Sequence, residues 1–133
     1  MNIAKKEYFS NKAIKEGGFM RFFTIGVNEL EKYARKPNTI LIDLRTKSEY
    51  EQYHIEGAKN IPYDELIETM GKLSKKITYI LYCERGGSSL MAAKDLSRKG
   101  YEIYTVIGGI HAWNERMKKE YQSKNIDSKR GKL

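Results

Sequence analysis

The sequence is poor in the residues that mark secreted, metal-binding and membrane proteins. Its 133 residues include one cysteine, two histidines, two prolines and one tryptophan. A single cysteine cannot form an internal disulfide, which excludes disulfide-stapled domains and favours a reducing, intracellular location. The first 18 residues lack the apolar core of a secretory signal, and no run approaches the roughly 18 to 20 apolar residues that cross a bilayer. We therefore predict a cytoplasmic protein with no membrane span.

The positive charge is concentrated at the two ends of the chain, whose formal net charge is +8. Residues 1–21 hold five Lys or Arg against two Glu, and residues 124–133 hold four against one Asp. Because a nucleic-acid-binding domain carries its basic stripe on the fold itself, we predict no nucleic-acid partner. We expect a flexible basic arm at residues 1–21, one domain at residues 22–122 and a flexible basic tail at residues 123–133, in a monomer.

Strand-like and helix-like segments alternate through the middle of the chain, an order that predicts a parallel sheet with helical crossovers. The predicted strands are residues 22–25, 39–44, 58–61, 77–82 and 101–107. The predicted helices run from a cap at Asn28 to about Arg35, from a cap at Ser48 to Gly57, from a cap at Asp64 to about Met70, over residues 90–99, and over residues 110–122.

The one cysteine, Cys83, directly follows the apolar run at residues 77–82 and opens a loop of charged, glycine and serine residues. Such a loop lies at the carboxyl end of a strand, where ligands collect in open parallel sheets. Its backbone N–H groups, next to a helix amino terminus, would stabilise a negative charge and so favour the reactive thiolate. The alternative is a buried cysteine acting as a small hydrophobic side chain, for which this loop is poor core material.

Three stretches resemble the signatures of single-domain rhodanese-like sulfurtransferases. The first comprises LIDLR at 41–45, EY at 49–50 and HIEGAKNIP at 54–62, and is similar to D-x-R-x-x-x-E-[YF] followed by H-I-x-G-A-x-N-[IL]-P. The second, CERGGSS at 83–89, is similar to the active-site loop C-x-x-G-x-[RS]-S. The third, GGIHAW at 108–113, is similar to G-G-x-x-x-W. Short motifs are weak singly, but three in the family's order are a specific signal.

The resemblance implies an α/β fold with a five-stranded parallel sheet flanked by helices on both faces. It also implies a sulfurtransferase in which Cys83 takes a sulfane sulfur from thiosulfate, a polysulfide or a protein persulfide and passes it to a thiol or cyanide. The partners would be this small donor, a thiol acceptor and a possible partner protein, with no cofactor and no metal. The implied active-site loop consists of Cys83, Glu84, Arg85, Gly86, Gly87, Ser88 and Ser89.

Each residue type in this loop suits an anionic sulfur. We expect the N–H groups from Glu84 to Ser89 to converge on it, with Ser88 and Ser89 adding hydroxyl donors and a helix cap. Arg85 would steer an anionic donor, and Glu84 is expected to point outward, away from the nucleophile. Because Glu84 is acidic and Ser88 stands where other family members carry arginine, the loop is less cationic than thiosulfate would favour, which leaves room for a polysulfide or a protein persulfide as the donor.

The remaining signature residues are predicted to be structural. We expect an Arg45 to Glu49 ion pair, a hydrogen-bonded His54, a tight turn at Gly108 and Gly109, and a helix-to-sheet contact at Trp113.

Two other functions use a similar loop. A phosphatase or arsenate reductase needs arginine six positions after the cysteine, where this chain has Ser89, so the sequence argues against that class. A non-enzymatic interaction or redox-sensing module is left open, because a reactive thiolate can also be oxidised reversibly.

Overall fold

Helices and strands alternate through the part of the chain that the computed structural model describes, residues 22–69 and 71–131. The strands are β1 (Phe22–Ile25), β2 (Thr39–Asp43), β3 (Lys59–Asn60), β4 (Thr78–Tyr82) and β5 (Glu102–Val106). The helices are α1 (Leu30–Ala34), α2 (Lys47–Gln52), α3 (Tyr63–Thr69), α4 (Gly87–Arg98) and α5 (Gly109–Gly131).

The five strands form one sheet in the order β1-β5-β4-β2-β3, and every neighbouring pair is parallel. A parallel sheet is covered on both faces, so its inner strands are nearly continuous in apolar residues, as TYILY in β4 illustrates. The predicted five-stranded parallel sheet is confirmed. Because all strands run the same way, their carboxyl ends meet at one edge, and the loop that begins at Cys83 follows the central strand there.

Each face of the sheet has its own hydrophobic core. Residues of β4 alternate between them: Ile80 and Tyr82 lie in one cluster, and Tyr79 and Leu81 lie in the other. The first cluster contains Leu30 of α1 together with Ile110 and Trp113 of α5. The second contains Leu66 of α3 and Ala92, Ala93 and Leu96 of α4. Helices therefore cover both faces, as predicted, and Cys83 belongs to the face covered by α4.

The N-cap of helix α2 lies two residues before the predicted one. Thr46, not Ser48, is the N-cap: its hydroxyl accepts the N–H of Glu49 at 3.3 Å, and the Glu49 carboxylate accepts the N–H of Thr46 at 3.2 Å. This reciprocal capping box satisfies two free N–H groups, whereas a lone serine would satisfy one. The cap prediction at Ser48 is therefore wrong.

The starts of α1 and α3 also differ from prediction. Glu29, not Asn28, is at the N-cap of α1, and no side chain bonds to the free N–H groups there. Helix α3 begins at Tyr63, which places Asp64 in its first turn, where a carboxylate still interacts favourably with the helix dipole. Its predicted end at Met70 lies outside the described residues.

Helices α4 and α5 are both longer than predicted. Gly86 is the N-cap of α4 and no side chain caps it, so Ser88 and Ser89 lie in the first turn rather than in the loop before it. Helix α5 continues past residue 122 to Gly131 because residues 110–130 contain no Gly or Pro to stop it. The division into arm, domain and tail stays a prediction, and the arm at residues 1–21 lies outside the described residues.

Membrane crossing requires a long apolar helix, and none of the helices in residues 22–69 and 71–131 meets that requirement.

Candidate active site

Cys83 is the first residue after the central strand β4, and only 7% of it is exposed. Its Sγ accepts the backbone N–H of Gly86 at 3.1 Å and that of Ser89 at 3.4 Å. The thiol also lies 3.6 Å from Oγ of Ser89, to which it donates. Because Ser89 is in the first turn of α4, the sulfur lies at the positive end of a twelve-residue helix. Two N–H dipoles and the helix dipole thus favour a negative charge on this sulfur.

Gly86 makes the turn that brings its N–H to the sulfur. Its φ of +106° lies in the left-handed region that side chains disfavour. A Cβ there would also stand 3.2 Å from the backbone nitrogen of Gly108, a tight contact with main chain. Glycine is therefore required at this position for both backbone conformation and space.

The other loop residues make no hydrogen bond to the sulfur in the part of the chain that the structure describes. Within the described chain, Sγ accepts hydrogen bonds from two of the six N–H groups that were expected to converge on it. Glu84, Arg85, Gly87 and Ser88 are exposed, whereas Ser89 is completely buried. Because α4 begins at Gly87, successive residues point about 100° apart around the helix, and only Ser89 is turned toward Cys83.

Glu84 points outward, as predicted, with 57% of its side chain exposed. Its carboxylate is 3.9 Å from Nη1 of Arg45. Arg45 also forms a close pair with Asp43, with Nη2 at 2.9 Å from Oδ2 and Nε at 3.2 Å from Oδ1. The predicted Arg45 to Glu49 pair is wrong because Glu49 is engaged in the capping box of α2 while Asp43 lies two residues away on the buried strand end.

Asp43 is a fully buried carboxylate that accepts hydrogen bonds from two residues, Arg45 and Tyr82. Besides Arg45, the Tyr82 hydroxyl donates to Oδ2 of Asp43 at 2.6 Å and accepts the N–H of Ile55 at 3.1 Å. Burial raises the pKa of the Tyr82 phenol far above its ordinary value, and the bond donated to Asp43 raises it further. Burial alone would lower the pKa of Arg45, but the hydrogen bonds and charge of Asp43 outweigh it and raise that pKa. These hydrogen bonds hold the side chain of Tyr82, the residue immediately before Cys83.

The first turn of α5 forms hydrogen bonds with the backbone of the cysteine loop. The N–H of Ile110 donates to the carbonyl oxygen of Cys83 at 2.9 Å, and the N–H of His111 donates to that of Glu84 at 3.0 Å. Gly109, with a φ of +58°, packs directly on these groups. A Cβ there would collide with the carbonyl oxygen of Cys83 and stand 2.7 Å from the carbonyl carbon of Glu84. The predicted tight turn at Gly108 and Gly109 is confirmed, and its role is to bring α5 against the loop.

His54 and Trp113 have the structural contacts predicted for them. Nδ1 of His54 is 2.8 Å from the carbonyl oxygen of Tyr50, and its ring stacks on the Tyr50 ring with centroids 3.8 Å apart. Trp113 lies in the core beneath α5, and its Nε1 donates to the Tyr53 hydroxyl at 3.1 Å. Both residues anchor the segment that joins α2 to β3.

Thr105 is a site residue that the sequence analysis missed. It lies in β5, is 3% exposed, and donates its hydroxyl to Oγ of Ser89 at 2.8 Å. The available signal was a hydroxyl residue between Tyr104 and Val106 in a strand that is otherwise largely apolar, which is too common a pattern to indicate a site by itself.

Comparison with known proteins identifies the class to which this fold and loop belong. A sequence model of the rhodanese-like domain matches residues 26–116, so the chain belongs to the rhodanese-like domain family. The thiosulfate sulfurtransferase GlpE of Coxiella burnetii is 30% identical over 95 residues, which cover 71% of this chain and 89% of GlpE. The family and fold expectations are thereby confirmed.

Two further relatives differ in how much of their own length this chain spans. The tRNA sulfurtransferase of Pyrobaculum aerophilum is 29% identical over 79 residues, 59% of this chain, which spans only 16% of that protein. The crystal structure of a rhodanese-related protein from Thermoplasma volcanium superposes with a TM-score of 0.64 at 30% identity, covering 70% of this chain and 91% of that one.

Proposed function

We propose that this chain is a sulfurtransferase in which Cys83 is the nucleophile and carries the transferred sulfur as a persulfide. The observation that carries the proposal is the pair of N–H groups, from Gly86 and Ser89, that bond Sγ at 3.1 and 3.4 Å. Family membership and the similarity to GlpE support it. The same donors would stabilise the thiolate before transfer and hold the loop around an anionic persulfide afterwards.

The proposed reaction has two displacement steps. The Cys83 thiolate attacks the outer sulfur of a donor such as thiosulfate; a new S–S bond forms, the S–S bond of the donor breaks, and sulfite leaves with the bonding electron pair. A nucleophilic acceptor, cyanide or a thiolate, then attacks the terminal sulfur of the persulfide. Cys83 departs as a thiolate, and the acceptor leaves as thiocyanate or a new persulfide, so no external oxidant or reductant is needed.

Charges at the loop support an anionic sulfur donor. Arg85 is exposed and makes no ion pair with any residue of the described chain, so its charge is available to attract an anion. The opposing charge of Glu84 is paired with Arg45, which lowers its repulsion. Ser88 is exposed and carries no positive charge, so it would hold a second anionic oxygen less firmly than an arginine at that position. Thiosulfate, polysulfides and protein persulfides are therefore all proposed donors, and thiosulfate is the simplest probe.

Intact-mass analysis tests this proposal directly. The purified chain is incubated with thiosulfate and then with cyanide, and thiocyanate is measured, with Cys83→Ser as the test variant. We expect wild type to gain the mass of one sulfur atom and to lose it to cyanide, and the serine variant to do neither. Ser97→Ala is a matched control because it removes a buried hydroxyl from the far end of the same helix.

The result that would overturn the proposal is normal thiocyanate formation by Cys83→Ser. A wild-type chain that reacts with peroxide at Cys83, but takes no sulfur from thiosulfate, polysulfide or a protein persulfide, would also overturn it and would favour a redox sensor.

A further inference from the structure

Thr105 lies in β5 and reaches the sulfur site through a hydrogen bond to Ser89. Its side chain is 3% exposed and its hydroxyl donates to Oγ of Ser89 at 2.8 Å. Burying a hydroxyl costs free energy unless it is hydrogen-bonded, and this bond compensates both buried hydroxyls. The three residues thus form a buried chain of polar atoms, from Thr105 through Ser89 to Cys83.

The protons on the hydroxyls and the thiol determine which groups the Ser89 hydroxyl can donate to and accept from. A serine hydroxyl has one proton and two acceptor lone pairs. Oγ of Ser89 accepts from Thr105, donates to the carbonyl oxygen of Gly86 at 3.1 Å, and accepts the Cys83 thiol at 3.6 Å. When the thiol is ionised, its proton is gone, and the Ser89 proton is free to rotate from Gly86 to the sulfur. The bond from Thr105 holds Oγ in place during that change.

We propose that Thr105 is a positioning residue whose hydroxyl, acting through Ser89, favours the thiolate and the persulfide anion at Cys83. A hydroxyl that accepts a hydrogen bond is polarised and becomes a better donor, so the bond from Thr105 strengthens the one that Ser89 gives to an anionic sulfur. This inference deepens the proposed function, because it rests on Cys83 being the nucleophile.

The substitution that tests it changes no charge near the sulfur. The titratable groups next to the loop are Glu84, Arg85, Arg45 beside Glu84, and His111, with Asp43 at the end of β2 and Tyr82 at the end of β4. Thr105→Val keeps the size and branching of the side chain and removes only the hydroxyl. Thr105→Ser keeps the hydroxyl and removes the methyl group.

The measurement is the rate of Cys83 alkylation by iodoacetamide across pH, with no sulfur donor present. We expect the midpoint of the profile to rise by about half a pH unit in Thr105→Val, which is about a threefold smaller thiolate fraction below the midpoint. Thr105→Ser should restore the wild-type midpoint, and Ser97→Ala should leave it unchanged. Thr105→Ala repeats the test should the valine variant fold poorly.

A double variant tests whether Thr105 acts through Ser89. Ser89→Ala with Thr105→Val should have the same midpoint as Ser89→Ala alone, whereas an additive shift would overturn the proposed route. An unchanged midpoint in Thr105→Val, with only lower stability, would show that Thr105 merely joins β5 to α4 and would overturn the inference. If the midpoint shifts as expected but wild type fails to take up sulfur, the sulfurtransferase proposal fails and the role of Thr105 stands.

Discussion

Tyr82 and Cys83 are adjacent in sequence, yet they act on opposite faces of the sheet. Tyr82 packs in the cluster beneath α1 and α5 and donates to Asp43, its partner in the parallel register of β2 and β4. Cys83 belongs to the cluster beneath α4. The two-residue period of a strand therefore assigns one neighbour to a buried ion network and the next to the sulfur site.

The phenol of Tyr82 should make stability depend on pH in the alkaline range. Its pKa is raised in the folded chain by burial and by the bond to Asp43, so the folded chain keeps this proton where the unfolded chain loses it. The stabilising contribution is complete below about pH 10, the ordinary pKa of tyrosine, and is lost as pH rises above it.

Comparing wild type with Tyr82→Phe isolates this contribution from those of the other tyrosines. Below about pH 9 we expect the variant to be about 1 to 3 kcal/mol less stable, because Asp43 and the N–H of Ile55 lose a buried partner. Above about pH 10 the difference should shrink by up to about 1.4 kcal/mol per pH unit. Urea unfolding at a series of pH values measures this difference in stability, and a constant difference up to about pH 11 would contradict the linkage between folding and the Tyr82 proton.

At the scale of secondary-structure elements, the amino terminus of α5 is a support for a loop rather than only the start of a helix. Two N–H groups in its first turn, those of Ile110 and His111, bond the carbonyl oxygens of Cys83 and Glu84. Gly109 permits this approach because any side chain would occupy the space of those carbonyls. The motif at residues 108–113 is thus hydrogen-bonded to the cysteine loop at residues 83–89.

Gly109→Ala should disturb both stability and the cysteine loop. Its matched control is Gly57→Ala, since Gly57 also has a left-handed φ, +88°, but has nothing within 4 Å of an added Cβ. Gly57→Ala should lower the free energy of unfolding by about 1 to 2 kcal/mol, because of the backbone conformation alone. Gly109→Ala should cost about 1 to 3 kcal/mol more, because the collision with main chain cannot be relieved by a rotamer change.

Urea unfolding and iodoacetamide alkylation together check this prediction. Gly109→Ala should also alkylate at Cys83 with an altered rate, because the loop carbonyls must move, while Gly57→Ala should alkylate as wild type does. Equal losses of stability in the two variants would refute the close packing of Gly109 on the loop.

At the scale of the whole molecule, the site rests on the most protected part of the sheet. Strand β4 pairs with β2 on one side and with β5 on the other, while β1 and the two-residue β3 are edges. Ile80 and Leu81 are completely buried, one in each of the two cores. The loop that follows β4 is therefore attached to a strand whose side chains pack in both cores.

Amide hydrogen exchange should reflect this arrangement. We expect the amides of Ile80 and Leu81 to exchange at the rate of global unfolding, and the amides of β1 and β3 to exchange at least about tenfold faster through local opening. Exchange followed by NMR at single residues measures the contrast. The same rate in β3 as in β4 would mean that the sheet opens as one unit.

Much of this protein was predictable from its sequence because the informative signals are local. The run of apolar residues before Cys83, the glycines after it and the alternation of strands and helices predicted the five-stranded parallel sheet and a polar loop at its edge. The resemblance of three short motifs added the family. The element boundaries were less predictable: Thr46 replaced Ser48 as a cap because a reciprocal pair with Glu49 forms only when both side chains take up their positions.

The sequence by itself determined the single thiol, the fold class and the loop in which that thiol lies, since these depend on residue identity and on spacing along the chain. Only the tertiary structure decided which groups reach the sulfur. Ser88 and Ser89 are chemically identical neighbours, and the start of α4 at Gly87 buries one and exposes the other. Thr105 and Gly109 contact residues of the site from which they are separated by more than ten positions in the sequence. The packing that brings them there depends on the whole sheet rather than on any local pattern.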